Sequence, residues 1–367
     1  LDTLSAEIVG VSICIDSGNA CYIPIAHQTD QPEQKYLEDK QLAISIVLKK
    51  LRPLLADRSI LKIGHNIKYD IKVLDKYECP VYSFDDTMLM SHCINGGRQR
   101  HNLDTLAKYL LNHETIKLKD LIGSGKNELN FKNVPISLAT NYAAEDADIT
   151  FQVWKVLKKE LVKQSVYSVY ENIDKPMVPV LIDAELKGVE VDKLQLQKLS
   201  QFFEKKLKDS ESEIFSIVGV KFNIASPKQL SEILFEKLRL PNGKKNKSGG
   251  FQTGAEILED LASKGFEIAS FLLEWRKISK LKSTYSDSLM LHINNLTGRV
   301  HTSFNLAGTS TGRLSSSDPN LQNIPIRDAE GKKIREAFRA REGAKLLSLD
   351  YNQIELRLLA HIADVRG

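Results

Sequence analysis

The sequence predicts an α/β protein of two or three domains, and three observations lead to this prediction. The chain has 367 residues, which is enough for more than one core. About the first 165 residues alternate β-rich and helical runs, as in a sheet covered by helices. From Asp174 the pattern becomes mostly helical, so we expect a domain boundary between residues 164 and 175.

The N-terminal part opens with a predicted β-hairpin. Residues 8–15 and 20–25 are β-rich, and Asp16-Ser17-Gly18-Asn19 between them has the composition of a turn. Further predicted elements are a helix over about 33–55, a strand over 60–63 and a long helix over 135–162. We therefore expect a mixed sheet that begins antiparallel and continues through helical crossovers.

The C-terminal part is predicted to be helical first and then to form strands. An amphipathic helix is expected from Lys193 to about Val218, and residues 241–250 are rich in Gly, Lys, Ser and Asn, which is typical of a loop. Short strands are expected near 298–303. An apolar run, Lys345 to Leu349, predicts a further strand before a helix that begins near Ile354.

Composition restricts the class of protein without identifying it. The net charge is 51 basic minus 47 acidic residues, or +4, which is too small to prove a polyanionic partner. No apolar run approaches the roughly 18 residues that suggest a membrane span. Four cysteines without CxxC spacing favour reduced thiols in a soluble, cytoplasmic protein.

Two segments in the first part of the chain carry side chains suited to phosphodiester hydrolysis. Asp70 ends the segment Gly64-His65-Asn66-Ile67-Lys68-Tyr69-Asp70, which follows a predicted strand. Tyr142 and Asp146 are four residues apart, on one helix face. Carboxylates can hold two divalent ions about 4 Å apart, and a phenol can orient the attacking water. Taken alone, each residue is more typical of an ordinary helix surface or core edge.

The most informative segment is Asp350-Tyr351-Asn352-Gln353-Ile354-Glu355-Leu356-Arg357. Its first residue stands where the predicted strand stops and the helical pattern begins, so the carboxylate would be available to a metal. Two polar segments precede it, Thr311-Gly312-Arg313-Leu314-Ser315-Ser316 and Asp318-Pro319-Asn320-Leu321-Gln322-Asn323-Ile324-Pro325.

Together these segments resemble the bacterial DNA polymerase I family, a family A DNA polymerase group. The Asp350 segment resembles its motif A, and Lys280-Leu281-Lys282-Ser283-Thr284-Tyr285 extends the match. The phrases NIKYD and YAAEDAD resemble the second and third motifs of tyrosine-bearing DEDD-type 3'-5' exonucleases. The resemblance covers essentially the whole chain. It implies a ribonuclease H-like exonuclease domain over 1–165, a mostly helical thumb over 166–295 and the start of a palm over 296–367.

The resemblance also implies site residues. For the exonuclease, Asp70 and Asp146 would be metal ligands, and Tyr142 would position the nucleophilic water. For the polymerase, Asp350 would hold metal with help from the Tyr351 carbonyl, and Glu355 would be the steric gate against a ribose 2'-OH. The implied contacts to DNA or nucleotide are Arg313 in the minor groove, Gln322, Asn323 and Arg357 along the DNA or nucleotide pocket, and Lys280, Lys282 and Tyr285 on the backbone, where a structural role is almost as plausible.

The implied cofactor is Mg²⁺ in two-metal sites, with Mn²⁺ as an alternative. The implied partners are primer-template DNA, deoxynucleoside triphosphates and a single-stranded DNA 3' end. We expect a monomeric, bacterial, cytoplasmic enzyme of replication and repair that adds deoxynucleotides to a primer 3' end and proofreads. Two alternatives remain. A stand-alone exonuclease of the ribonuclease D type would leave Arg313 and Asp350 unexplained, and an inert DNA-binding relative would be expected to lack the carboxylates seen here.

The chain is expected to be a fragment. Leu1 is not an initiator, and the Asp-x-Glu of the family's first exonuclease motif is expected before it; Asp2 and Glu7 have the wrong spacing to replace that motif. The fingers and the second palm carboxylate are expected beyond Gly367. We therefore expect this chain alone to bind exonuclease metals poorly, to hydrolyse DNA slowly or not at all, and not to polymerise.

Overall fold

The computed structural model describes residues 3–28, 40–125, 128–241, 243, 251–326 and 328–364. They form two compact units. The first unit comprises Leu1–Lys187 and Thr302–Gln322, and the second comprises Gly188–His301 and Asn323–Gly367. The chain thus leaves the first unit after Lys187 and returns to it for the Thr302–Gln322 segment.

The first 187 residues contain four strands and eight α-helices among the described residues. In chain order they are β1 Gly10–Asp16, β2 Asn19–Pro24, α1 Ile44–Ala56, β3 Lys62–Gly64, α2 Ile67–Asp75, β4 Phe84–Asp86, α3 Thr87–Asn95, α4 Leu103–Leu106, α5 Leu118–Ile122, α6 Ile136–Lys163, α7 Tyr167–Val169 and α8 Lys175–Lys187. Short π-helical segments follow α4 and α7, at Ala107–Leu111 and Tyr170–Asp174.

The described part of the chain after Lys187 contains five strands and seven α-helices. In order they are β5 Val189–Val191, α9 Lys193–Val218, α10 Pro227–Ser231, α11 Ala255–Ser263, α12 Glu267–Leu281, α13 Ser288–Leu291, β6 Arg299–Val300, β7 Ser303–Asn305, β8 Ser315–Ser317, α14 Ala329–Arg335, β9 Phe338–Arg339 and α15 Ile354–Ile362. Two π-helical segments, Glu232–Lys237 and Lys282–Asp287, follow α10 and α12.

The described strands of the first unit form small sheets, some antiparallel and one parallel. The predicted hairpin is confirmed, since β1 and β2 pair antiparallel from Gly10 opposite Pro24 to Asp16 opposite Asn19. β3 and β4 pair parallel, and β7 and β8 pair antiparallel. The expected mixed pairing is therefore present, but in the described residues it is divided among two-stranded sheets.

The long helix α6 organises the core of the first unit, and its predicted extent is confirmed. It packs against β1, β2 and β3 as well as α3. Its buried positions recur at helical spacing, so one face of the helix meets the sheets while the other meets solvent. These buried residues are Ile136, Ala139, Ala143, Ile149, Thr150, Val153, Leu157 and Leu161.

The second unit combines a helical core with a three-stranded sheet of order β6-β5-β9. Helix α9 has the bounds that the sequence predicted, because Asp192 caps its start by accepting the Gln195 N–H at 3.0 Å and Gly219 ends it at a φ of 76°. It packs against α12, which also packs against α11. The described helices of both units include none that is long and apolar enough to cross a membrane.

Two predictions from periodicity need correction. Of the helix predicted over about 33–55, residues 33–39 lie outside the described residues, residues 40–43 are not helical, and α1 covers Ile44–Ala56. Lys345 to Leu349 forms no strand, although helix α15 follows as predicted. Residues 340 to 364 are almost all exposed, and a strand requires a hydrogen-bonded neighbour that this segment does not have among the described residues. The predicted loop over 241–250 lies largely outside the described residues.

We expect Leu258→Ala to lower the unfolding free energy of the second unit by about 2–5 kcal/mol, because Leu258 is fully buried and its truncation leaves a cavity in the core. Trp275 packs against that core, and the other tryptophan of the chain, Trp154, lies in the first unit. Urea unfolding followed by Trp275 fluorescence, in a Trp154→Phe background, measures the change.

Leu194→Ala is the matched control, since Leu194 is 68% exposed on helix α9 of the same unit. We expect it to change the unfolding free energy by less than about 0.5 kcal/mol. Equal effects of the two substitutions would contradict the assignment of the core.

Candidate functional site

Asp86 fixes the framework of the candidate site in the first unit. It ends β4, is 2% exposed and caps helix α3, where its carboxylate accepts the Met88 N–H at 2.9 Å. The same carboxylate accepts the N–H groups of Asn66 at 3.1 Å and Ile67 at 3.0 Å. One buried carboxylate therefore holds the starts of two helices at the carboxyl end of the parallel β3–β4 pair.

Asp70 is placed beside this framework by helix α2. The chain enters α2 through Asn66, whose φ of 58° is left-handed, a conformation that asparagine tolerates better than most residues. Asp70 is exposed to solvent, yet protein atoms surround its carboxyl group on other sides. That desolvation, together with the negative charge of Asp86, raises the pKa of Asp70 to about 7. Burial likewise raises the pKa of Asp86 to about 6.

Tyr142 and Asp146 meet on one face of α6, as their spacing predicted. The Tyr142 hydroxyl and the Asp146 carboxylate interact, and the Tyr142 ring centroid lies 6.0 Å from that of Phe131. Burial raises the pKa of Tyr142 well above its usual range, and the charge of Asp146 adds to this. Burial also raises the pKa of Asp146 to about 6, with contributions from the charges of Asp104 and Glu145.

The sequence motifs did not indicate Asp104 or Asp86, whereas Glu145 directly precedes Asp146 in its motif. The Glu145 carboxylate accepts the Ile116 N–H at 2.7 Å and lies 2.8 Å from His113 Nε2, so it holds the loop after residue 111. Asp104 accepts the Thr115 hydroxyl at 2.9 Å. These carboxylates make the surroundings of Asp146 more acidic. Asp86 could have been found, because an Asp directly before a helical run is an N-cap signal.

The expected ligands do not form a complete metal centre by themselves. The structure brings Tyr142 and Asp146 into contact and places Asp70 near Asp86, and α6 packs on β3, which leads into α2. Among the residues that the structure describes, no group of three or more His, Cys, Asp or Glu side chains converges on one metal position. Burial is the main cause of the raised pKa values of Asp70 and Asp146, and the charges of neighbouring carboxylates add to it.

Arg313 lies in the loop between β7 and β8, which is part of the first unit. The loop is closed by the Thr309 hydroxyl, which donates to the Arg313 carbonyl at 2.7 Å. Below it, Thr302 Oγ1 lies 2.7 Å from Ser316 Oγ and donates to the Pro319 carbonyl at 2.8 Å. Arg313 itself is exposed. A small, internally bonded hairpin thus presents this side chain to solvent.

The predicted DNA contacts of the second unit differ in accessibility. Lys280 is exposed. Lys282 is engaged, 2.8 Å from Asp287 and 3.5 Å from Glu204. Tyr285 is 5% exposed, and its hydroxyl donates to the Asn323 carbonyl, an arrangement that favours a packing role. Gln322, which ends the first unit's returning segment, is exposed, as is Asn323.

The motif around Asp350 is accessible throughout. Asp350, Glu355 and Arg357 are exposed, and Tyr351 is 81% exposed. The Arg357 Nε donates to the Asn352 carbonyl at 3.0 Å, which holds the guanidinium against the start of helix α15. The segment carries its functional groups outward, but the expected strand beneath Asp350 is not formed.

Two models of known protein families match this chain. Residues 1–162 match the family model described as 3'-5' exonuclease, and residues 193–367 match the model described as DNA polymerase family A. Residues 193–367 belong to DNA polymerase family A. The two matches occur in one chain and in the order that the motifs implied, so the resemblance stated from the sequence is confirmed.

Relatives named DNA polymerase I align with this chain over its whole length. DNA polymerase I of Rhizobium leguminosarum is 46% identical over 376 residues, which are 100% of this chain and 37% of the relative. DNA polymerase I of Pseudomonas aeruginosa is 44% identical over 372 residues, 100% of this chain and 40% of the relative. The chain therefore spans about two fifths of the length of these relatives.

A solved structure supports the α/β assignment of the fold. The POL domain of Pol1 from M. smegmatis, in complex with a DNA primer-template and dNTP, superposes with a TM-score of 0.77 at 29% identity. The alignment covers 97% of this chain and 56% of that chain. The fold predicted from the sequence is confirmed at this level.

We expect Asp70→Asn to stabilise the chain at alkaline pH. The pKa of Asp70 is about 7 in the folded protein and near 4 in an unfolded chain, so the folded state holds the proton more tightly. This stabilisation is complete below about pH 4 and is lost as the pH rises through about 7. The amide removes the cost of the charge, by no more than about 1 kcal/mol for an exposed group.

Thermal unfolding midpoints at about pH 4.5 and about pH 8 test this expectation. Asp75→Asn is the control, because Asp75 is an exposed carboxylate on the same helix. The Asp70 variant should gain stability over the unmodified chain only at the higher pH. A gain of equal size at both pH values would show that the charge is not its cause.

Proposed function

We propose that the whole protein to which this chain belongs is a DNA-directed DNA polymerase that also removes nucleotides from a DNA 3' end. One observation carries the proposal: a single chain matches the 3'-5' exonuclease model over 1–162 and the family A polymerase model over 193–367. Its relatives are named DNA polymerase I, a class that serves replication and repair.

The first unit supplies the residues of the exonuclease reaction in this proposal. Asp70 and Asp146 would bind divalent cations, and the Tyr142 hydroxyl, held by Asp146, would orient the attacking water at the terminal phosphodiester. The substrate would be a frayed, single-stranded DNA 3' end. The raised pKa values of both carboxylates support this role, because groups that resist ionisation alone ionise readily beside a cation.

Mg²⁺ is the cation that fits these donors, with Mn²⁺ as an alternative. Both prefer carboxylate and water oxygens, and the described residues offer carboxylates rather than thiolates at this position. When bound, such a pair of ions activates water and stabilises the leaving oxygen. In the polymerase reaction, Asp350 would hold the corresponding ions with the Tyr351 carbonyl.

The remaining contacts belong to polymerisation. Arg313 would test the primer terminus from the minor groove, where shared acceptor positions report base-pair shape rather than sequence. Glu355 would close the nucleotide pocket against a ribose 2'-OH. Gln322, Asn323, Arg357, Lys280 and Lys282 would line the DNA or nucleotide, and Tyr285 would act through the Asn323 carbonyl that it binds.

The same proposal also gives the substrates, the cellular location and the domain boundaries of the protein. Primer-template DNA and deoxynucleoside triphosphates would be its substrates, and a cytoplasmic monomer would suffice for the reaction. The exonuclease domain would occupy 1–165, the thumb 166–295 and the palm would begin at 296. In the described structure, the segment Thr302–Gln322 belongs with the first compact unit, so contact units and these functional divisions need not coincide.

Two substitutions in the whole protein should separate the activities. We expect Asp350→Ala to lower primer extension about a thousandfold or more while leaving 3' degradation intact, and Asp70→Ala to do the reverse, because each removes one ligand from one two-metal site. A 5'-labelled primer-template, with and without deoxynucleotides and Mg²⁺, displays both reactions on one gel.

The same gel distinguishes the alternatives. Degradation without extension in the unmodified protein would indicate a stand-alone exonuclease. Absence of both reactions would indicate an inert DNA-binding relative. Loss of both activities in either single variant, with the fold retained, would contradict the assignment of Asp70 and Asp350 to different sites.

A further inference from the structure

A buried ion cluster links the helix that carries Asp70 to the hairpin that carries Arg313. Glu185, on α8, is 1% exposed, and its carboxylate binds the ammonium groups of Lys68 and Lys72, the latter at 2.6 Å. Both lysines lie on α2, two residues before and two residues after Asp70. All of these residues belong to the first unit. We call Glu185, Lys68 and Lys72 the Glu185 cluster.

Part of this cluster binds the backbone of β7. Glu185 Oε1 accepts the Phe304 N–H at 2.7 Å, and Lys68 Nζ donates to the Phe304 carbonyl at 2.7 Å. In the β7–β8 pair, Phe304 stands opposite Ser316. The Glu185–Lys68 pair therefore satisfies a backbone donor and acceptor as a neighbouring strand would. Lys72 binds Glu185 but forms no hydrogen bond to the described residues of the hairpin.

The loop that follows β7 is held at a second point. His92 Nε2, on α3, donates to the Thr309 carbonyl at 2.8 Å, and Thr309 in turn binds the Arg313 carbonyl. Each strand of the β7–β8 hairpin is only three residues long, so the hydrogen bonds between the two strands give the hairpin little rigidity. Its orientation therefore depends on contacts outside the ladder.

We infer that Glu185 and Lys68 are positioning residues for Arg313. The pair fixes strand β7, and β7 fixes the loop that presents the guanidinium to a primer-template duplex. Lys68 lies on α2, the helix that also carries Asp70. The Glu185–Lys68 pair therefore connects the helix of the proposed exonuclease carboxylate to the hairpin that carries Arg313. This inference rests on the proposed DNA contact of Arg313 and deepens it.

The two lysines provide a matched pair of substitutions. Lys68→Met removes a bond to Glu185 and the bond to Phe304, whereas Lys72→Met removes only a bond to Glu185. The side chains are similarly buried, at 12% and 11% exposure, so the loss of packing is comparable. If the two lysines only stabilise the fold, both substitutions should weaken DNA binding to a similar degree. If Lys68 positions Arg313, Lys68→Met should weaken DNA binding more than Lys72→Met.

The test measures primer-template affinity of the 367-residue chain by fluorescence anisotropy at fixed salt. We expect Arg313→Ala to weaken binding about tenfold. Lys68→Met should weaken it by a comparable factor, Lys72→Met by no more than about twofold, and the Lys68→Met, Arg313→Ala double variant no more than Arg313→Ala alone. Circular dichroism melts verify that each variant is folded, and Glu185→Gln replaces Lys68→Met if the latter does not fold.

Three results would contradict the positioning role of Glu185 and Lys68. If Arg313→Ala weakens binding and the double variant shows the product of the two single effects, the positioning role is wrong while the proposed contact stands. The same holds if Lys72→Met equals Lys68→Met. If Arg313→Ala leaves affinity unchanged, the proposed contact is wrong, and the inference that depends on it is overturned as well.

Discussion

The first unit depends on two adjacent buried carboxylates at the end of β4. Successive side chains of a strand point to opposite sides, so Asp85 and Asp86 serve different halves of the unit. Asp86 receives the N–H groups at the starts of α2 and α3. Asp85, which is fully buried, accepts hydrogen bonds from the Trp154 indole at 2.8 Å and from Lys175 at 3.0 Å. Tyr170 joins the two, since its hydroxyl donates to Asp85 and accepts the Asp86 N–H.

The environments of Asp85 and Asp86 shift the pKa values of these two carboxylates in opposite directions. Burial alone would raise the pKa of Asp85, but the hydrogen bonds and charges of Trp154, Lys175 and Lys158 outweigh it and lower the pKa. Asp86 accepts hydrogen bonds from backbone N–H groups, but burial outweighs them, and its pKa is raised. Its charge is then felt by Asp70. Burial first, and the charge of Asp86 second, thus raise the pKa of the Asp70 carboxyl, which lies on the helix that Asp86 orders.

Local patterns in the sequence predicted local structure well. Turn chemistry located the β1–β2 hairpin, and amphipathic spacing gave the bounds of α9, Lys193–Val218, which Asp192 and Gly219 cap in the structure. Strand formation at 345–349 could not be judged in this way, because it requires a partner and not only an apolar run. The pairing of Tyr142 with Asp146 followed from helical spacing. The burial of Asp86 and Glu185 did not, since single acidic residues in helical or strand-like runs are usually exposed.

Direct titration of the Asp70 carboxyl tests whether its surroundings raise its pKa and whether it binds the cation that we propose for it. Carbon-13 NMR of aspartate-labelled chain, with the Asp70→Asn spectrum to identify the signal, gives the pKa with and without Mg²⁺. We expect a pKa of about 7 that falls when Mg²⁺ is added, because proton and cation compete for the same oxygens. An ordinary aspartate pKa that Mg²⁺ does not change would contradict it.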